Sequence, residues 1–77
     1  MFNLNIILNT IERVRDFAAA AQNLPCEVDV HSGHYIVDGK SVMSLFALDL
    51  SKPLKTTILC DEKNNNEYRE ILARFAE

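Results

Sequence analysis

The side chains of this chain that could do chemistry fall into four small groups. Thr10 and Glu12 open a stretch with helical periodicity, and Arg13 and Arg15 follow them. A hydroxyl at a helix start is first of all a cap for the free backbone N–H groups. Arginines beside the positive end of a helix could instead meet an anion or an acidic partner. His31 and His34, with Asp29 on the same predicted outer face, flank a tight turn and could ligate a metal. A structural zinc site takes four ligands, so this cluster reads as surface histidines and no metal is expected. Cys26 and Cys60 sit in no Cys-x-x-Cys pair and are too few for a disulfide framework. They read as reduced, buried thiols that pack as small apolar groups, with a redox pair as the alternative. Ser41 precedes a short apolar segment and reads as a helix cap that could also accept a phosphate. None of these groups forms a catalytic constellation.

The composition sets limits on what they can serve. With 77 residues, 48% hydrophobic and 25% charged, and two each of Gly and Pro, the chain reads as one ordered domain spanning 1–77. A domain this small buries only roughly 60% of its unfolded surface, which leaves no room for a deep pocket around a large cofactor, and none is expected. Eight basic residues are scattered among 11 acidic ones for a net charge of −3, which argues against nucleic acid as a partner. No apolar run approaches the roughly 20 residues of a membrane span, and Met1-Phe2-Asn3 lacks the charged start of a signal peptide. A cytoplasmic protein without membrane insertion is expected.

Periodicity supplies the elements that must position these groups. Phe2, Leu4, Ile6 and Leu8 alternate as one face of a strand. Asn9 and Thr10 offer caps, Asn9 with Glu12 has the spacing of a capping box, and Ile11, Val14, Phe17, Ala18 and Ala21 form the apolar stripe of a helix ending near Asn23. Cys26, Val28 and Val30 mark a second strand. Ser32-Gly33 reads as a two-residue turn, returning a third strand from His34 with Tyr35 and Val37 inward and His31 opposite His34. After Asp38-Gly39-Lys40, Ser41 caps a short helix carrying Val42, Met43, Leu45, Phe46 and Leu48. Leu54, Thr56, Ile58 and Cys60 mark a fourth strand. A polar stretch from Asp61 to Asn66 follows. Asn64 with Glu67 repeats the capping-box spacing before a last helix built on Tyr68, Ile71, Leu72, Phe75 and Ala76. The order βαββαβα, with one apolar face per strand, predicts an α+β open-faced sandwich whose sheet is covered on one side by three helices. If the fourth strand fills the gap between the first two, the sheet is wholly antiparallel.

This order resembles that of HPr, the phosphocarrier family of the bacterial sugar phosphotransferase system. The segment Lys40-Ser41-Val42-Met43-Ser44-Leu45-Phe46-Ala47-Leu48 is similar to the family's regulatory-serine helix, usually written KSIMGVMSL. Phe17 to Ala21, Cys26 to Val30 and Leu54 to Cys60 fit its first helix, second strand and fourth strand without a gap. The resemblance implies the HPr-like fold, and it places Ser41 on the serine that a dedicated kinase phosphorylates in many Gram-positive relatives. In the family the first helix opens with Gly-Leu-His-x-Arg-Pro, whose histidine receives phosphate from enzyme I. The ungapped reading puts Thr10 at that histidine and Glu12 at that arginine, and the preceding loop is shortened. A phosphohistidine transfers its phosphate readily, a phosphothreonine is a stable ester, and the lost cation would have paired with the phosphate.

A short helix buries one side, so with Leu45 and Leu48 inward some of Val42, Met43 and Phe46 should face water. In the resemblance these positions fall on the patch by which the family meets its partners. The expected protein is therefore no enzyme. It is an HPr-like regulatory or binding protein that docks phosphotransferase-system proteins or an HPr kinase through the Ser41 helix, with Val42, Met43, Phe46 and Arg13 as contacts. Two alternatives stay open: a true phosphocarrier using another site, and an oligomerisation or structural module.

Overall fold

Alternation of apolar side chains decides which face of each strand is covered. The computed structural model describes residues 1–60 and 62–77, so Asp61, the start of the expected polar stretch, lies outside the described residues. In chain order the elements are β1 (Phe2–Ile6), α1 (Ile11–Gln22), β2 (Glu27–Ser32), β3 (Tyr35–Asp38), α2 (Val42–Phe46), β4 (Leu54–Leu59) and α3 (Asn65–Leu72). Short 3-10 turns, Glu62–Asn64 and Ala73–Phe75, flank α3. The strands order as β1-β4-β2-β3, every neighbour antiparallel, as expected once β4 enters between β1 and β2. Phe2, Ile6, Val28, Val30, Leu54 and Ile58 join Val14, Phe17, Ala18 and Ala21 of α1, Leu45 of α2, and Leu72 and Phe75 in one buried cluster. On the opposite face Asn3, Asn5, Glu27 and Lys55 are exposed.

The helix starts follow from their caps. Thr10 Oγ1 accepts from the Arg13 N–H at 3.1 Å and Ser41 Oγ from the Ser44 N–H at 3.3 Å. The cap of α1 is thus Thr10, one residue beyond the Asn9 of the expected capping box. Asn64 makes no side-chain cap bond, because the chain enters α3 through the 3-10 turn instead. Ile11, expected in the core, is 62% exposed. At 100° per residue it lies about 70° from the centre of the buried arc of α1, on its flank.

The β2–β3 turn is Gly33-His34, one residue later than expected. Gly33 has φ 60°, and among the described residues no other has positive φ, the pattern of a turn with glycine first. The register moves with it: Ser32 faces Tyr35, His31 faces Ile36, and His34 lies in the turn rather than opposite His31. Tyr35, expected inward, is 72% exposed because its partner Ser32 stands beyond the edge of the core.

Pairing also corrects the reading of the cysteines as reduced. Glu27 faces Leu59, which makes Cys26 and Cys60 the next facing pair, and the structure joins them as a disulfide with Cα atoms 5.1 Å apart. Cys60 is buried and Cys26 half-buried. The chain ends are tied to the sheet as well. The Met1 amine donates to the Cys60 carbonyl at 3.0 Å, the Ile7 N–H to Phe75 O at 2.8 Å, and the Glu77 N–H to Asn5 O at 2.9 Å. Inside, Phe17 and Phe75 meet edge to face at 5.4 Å. Thr56 is fully buried, and among the described residues its hydroxyl has no partner.

Two measurements check this packing. Reducing the Cys26–Cys60 bond, which closes a separation of 34 residues, should lower stability by about 3–4 kcal/mol from loop entropy. A thermal melt with and without reductant should therefore show a lower Tm for the reduced protein, and a Cys26→Ser/Cys60→Ser variant should be indifferent to reductant. Gly39 donates its N–H to Val28 O at 2.7 Å, and a Cβ there would stand 2.7 Å from Val28 Cγ1. Gly39→Ala should cost about 1–3 kcal/mol by overpacking, read as a lower urea midpoint with an unchanged slope.

Candidate functional site

The helix layer presents two candidate centres, one at each end of α1. Gln22 Nε2 donates to Lys40 O at 2.8 Å and Lys40 Nζ to Leu24 O at 3.0 Å, so Ser41 stands beside the C-terminal end of α1. Thr10 is at the other end, a helix length of about 18 Å for these 12 residues. The two hydroxyls singled out in the sequence are therefore separate sites.

At the Ser41 end, α2 is a single five-residue segment, and its polarity is lopsided. Leu45 is fully buried and Leu48 nearly so, which fixes the inward side. The outward side carries Met43, 84% exposed, and Phe46, 42% exposed, while Val42 is half-buried against the core. The expectation that some of these three face water thus holds for Met43 and Phe46. Ile11 adds exposed apolar surface on the same layer of the molecule, a feature the helical stripe had assigned to the core. Its place on the flank of the arc, rather than its type, was the available signal.

At the Thr10 end, the Oγ1 accepts from Arg13 N and the residue is otherwise exposed. Arg13 is occupied structurally. Its Nε donates to Ile7 O at 2.7 Å, its Nη2 to Arg74 O at 3.4 Å, and its guanidinium lies 5.7 Å from the centre of the Phe75 ring. Arg74 covers the same ring at 4.7 Å. These contacts tie the β1–α1 connection to the C-terminal segment. A cation held this way keeps its charge at the helix start but has few donors free for an anion.

The histidine group does not assemble as a metal centre. Asp29 faces Asp38 and Thr57, His31 faces Ile36 and Lys55, and His34 stands in the turn. Among the described residues no three His, Cys, Asp or Glu side chains are grouped to hold a metal ion, and no helix is long and apolar enough to cross a membrane. In the loop after α2, Asp49 has its carboxyl held below the usual carboxylate range. The Ser51 hydroxyl bond is the main cause, followed by the Ser51 N–H and the nearby Lys52 charge.

With this geometry in view, the likeness to known proteins has a clear shape. No curated protein matches the sequence. Seven solved chains match. One of them, HPr-C-His from Thermoanaerobacter tengcongensis, has a TM-score of 0.77 over 96% of this chain and 89% of that chain at 18% identity, a likeness of fold. The family described as the PTS HPr component phosphorylation site matches residues 13–77, so Ser41 and its helix lie inside the matched segment while Thr10 and Glu12 precede it. On that match over most of its length, together with the β1-β4-β2-β3 sheet under its helix layer, the chain belongs to the HPr phosphocarrier family of the phosphotransferase system.

Proposed function

We propose that this protein is a regulatory, protein-binding member of the HPr family that does not relay phosphate through a histidine at the start of α1. It docks partners through the Ser41 helix, with Val42, Met43 and Phe46 as the apolar contacts and Arg13 contributing charge. Its partners are phosphotransferase-system proteins or an HPr kinase in the cytoplasm, and it needs no cofactor.

The observation that carries this reading is the exposure of Met43 at 84% and Phe46 at 42% on a helix whose other side is anchored by a fully buried Leu45. Leaving such side chains in water forgoes about 1.5–3 kcal/mol each, a cost that a partner surface recovers on binding. Methionine suits a surface that meets more than one partner, since its flexible thioether adapts to different shapes. The absence of relay rests on residue type: the chain has two histidines, His31 in β2 and His34 in the β2–β3 turn, and α1 opens on a threonine hydroxyl already bonded to Arg13 N. Phosphorylation of Ser41 would place roughly two negative charges beside Met43 and would switch docking off.

A phosphate-transfer assay tests it. With enzyme I and labelled phosphoenolpyruvate, no acid-labile label is expected. With an HPr kinase and labelled ATP, acid-stable label is expected on the wild type and none on Ser41→Ala. A Met43→Asp/Phe46→Asp variant should lose roughly tenfold or more in affinity for a phosphotransferase-system partner, without a change in Tm. Acid-labile label on His31 or His34 would make the protein a carrier and refute the proposal.

A further inference from the structure

The two edges of the sheet are treated differently. Along β1 the C-terminal segment lies alongside: the Ile7 N–H donates to Phe75 O, the Glu77 N–H to Asn5 O, and Ile6 bridges Ala76. On the other side β3 pairs with β2 alone, and among the described residues no strand or tail covers its outer edge. We infer that this edge pairs with β3 of a second copy of the chain, antiparallel about Ile36, joining the two sheets into one.

The hairpin decides which backbone groups face outward. In an antiparallel ladder, facing pairs alternate between those that exchange hydrogen bonds and those that do not. The Gly39 N–H donates to Val28 O at 2.7 Å, so Gly39, Val37 and Tyr35 turn their backbone groups toward β2. The His34 carbonyl, both groups of Ile36 and the Asp38 N–H then point away from the sheet. The Asp38 carbonyl points outward too, but it already accepts from the Ser41 N–H at 3.1 Å. The open groups thus run acceptor, donor, acceptor, donor, a series whose donors meet acceptors when the strand is laid antiparallel on itself.

That self-complementarity selects both the occupant and its register. With Ile36 opposite Ile36, each Ile36 N–H donates to the other's carbonyl and each Asp38 N–H to the His34 carbonyl across the axis. No group has to leave an existing partner. Moving the axis to Val37 sends the Ile36 N–H to the Asp38 carbonyl that Ser41 already holds, and sets His34 against Lys40. Moving it to Tyr35 carries Asp38 past the turn and leaves its N–H unpaired. The side chains favour the same axis. Ile36, 62% exposed, meets its own copy on the wet face, and Tyr35, 72% exposed, lies against Val37 of the copy on the helix side. His34 comes opposite Asp38, both exposed, and an imidazole offers a carboxylate an N–H in either protonation state. Aromatic against β-branched and donor against carboxylate are favourable cross-strand pairs. Sheet edges are commonly guarded by proline, lysine or a bulge, and Tyr35–Asp38 carries none of the three. A contact along one short strand is small, so the dimer is weak, with a Kd of about 0.1 mM.

Sedimentation and amide hydrogen exchange of the wild-type protein test the pairing between about 20 μM and about 1 mM, on either side of that Kd. The average mass should rise toward that of a dimer. Exchange at the Ile36 and Asp38 amides should slow roughly fourfold over that range, while Tyr35 and Val37, already bonded to β2, should change far less. Ile36→Pro deletes the outward N–H at a position where an edge strand tolerates proline, and should stay monomeric with a native far-UV spectrum. Ile36→Lys keeps every backbone bond to β2 and should weaken the dimer roughly tenfold. A mass that stays monomeric throughout, a dimer that survives in either folded variant, or slowed exchange confined to residues outside β3 would overturn the proposal.

Discussion

The insertion of β4 between β1 and β2 is the constraint on which the rest of the molecule depends. Among the described residues β4 is the only strand bonded on both sides to strands that are not its neighbours in sequence, and its residues Leu54, Thr56 and Ile58 are buried. Because every pairing is antiparallel, one side of the sheet can stay wet while the other carries all the helices. The inner side takes the apolar residues of α1, α2 and α3, and the polar side chains are left to the wet face and the periphery.

That division explains why the two hydroxyl caps do different work. Thr10 sits in a knot of internal bonds, where Arg13 joins the β1–α1 connection to the chain's last turn and two guanidinium groups cover Phe75. Ser41 caps a helix too short to be stable alone, and the buried Leu45 together with the Lys40 bonds to the end of α1 holds it in place. The outward side of that helix is therefore free of structural duty. A surface relieved of packing can keep Met43 and Phe46 in water for another molecule to cover.

The fold was legible wherever a two-residue or 3.6-residue period ran for more than a turn or a few residues. Phe2 to Leu8, Val14 to Ala21 and Leu54 to Cys60 each carried enough repeats to fix the element and its buried face. What escaped lay at ends and registers. The hairpin turn falls on Gly33-His34 because glycine must supply the positive φ at the first turn position, and a one-residue shift there moves His31 from His34 to Ile36. Ile11 and Tyr35 have core-type side chains at the margin of a buried arc or strand, where composition alone does not say which side of the margin they take. The cysteines read as reduced thiols because only the register that pairs Glu27 with Leu59 makes Cys26 and Cys60 face one another and bond. The Ser41 helix was legible because its cap and its apolar content are both local.

Thr56 shows where this architecture stops short of its own limit. Its hydroxyl is sealed in the core of β4 with no partner among the described residues, at a position whose shape a valine would fill as well. An unpaired buried hydroxyl carries a desolvation penalty of about 1–3 kcal/mol, a sizeable fraction of what a domain this small has in hand. The backbone can thus support a firmer protein than this sequence makes of it, and the shortfall sits in the strand that both halves of the sheet share. Loosening felt there would reach β1 and β2 together, so the molecule should open as one unit rather than fray strand by strand.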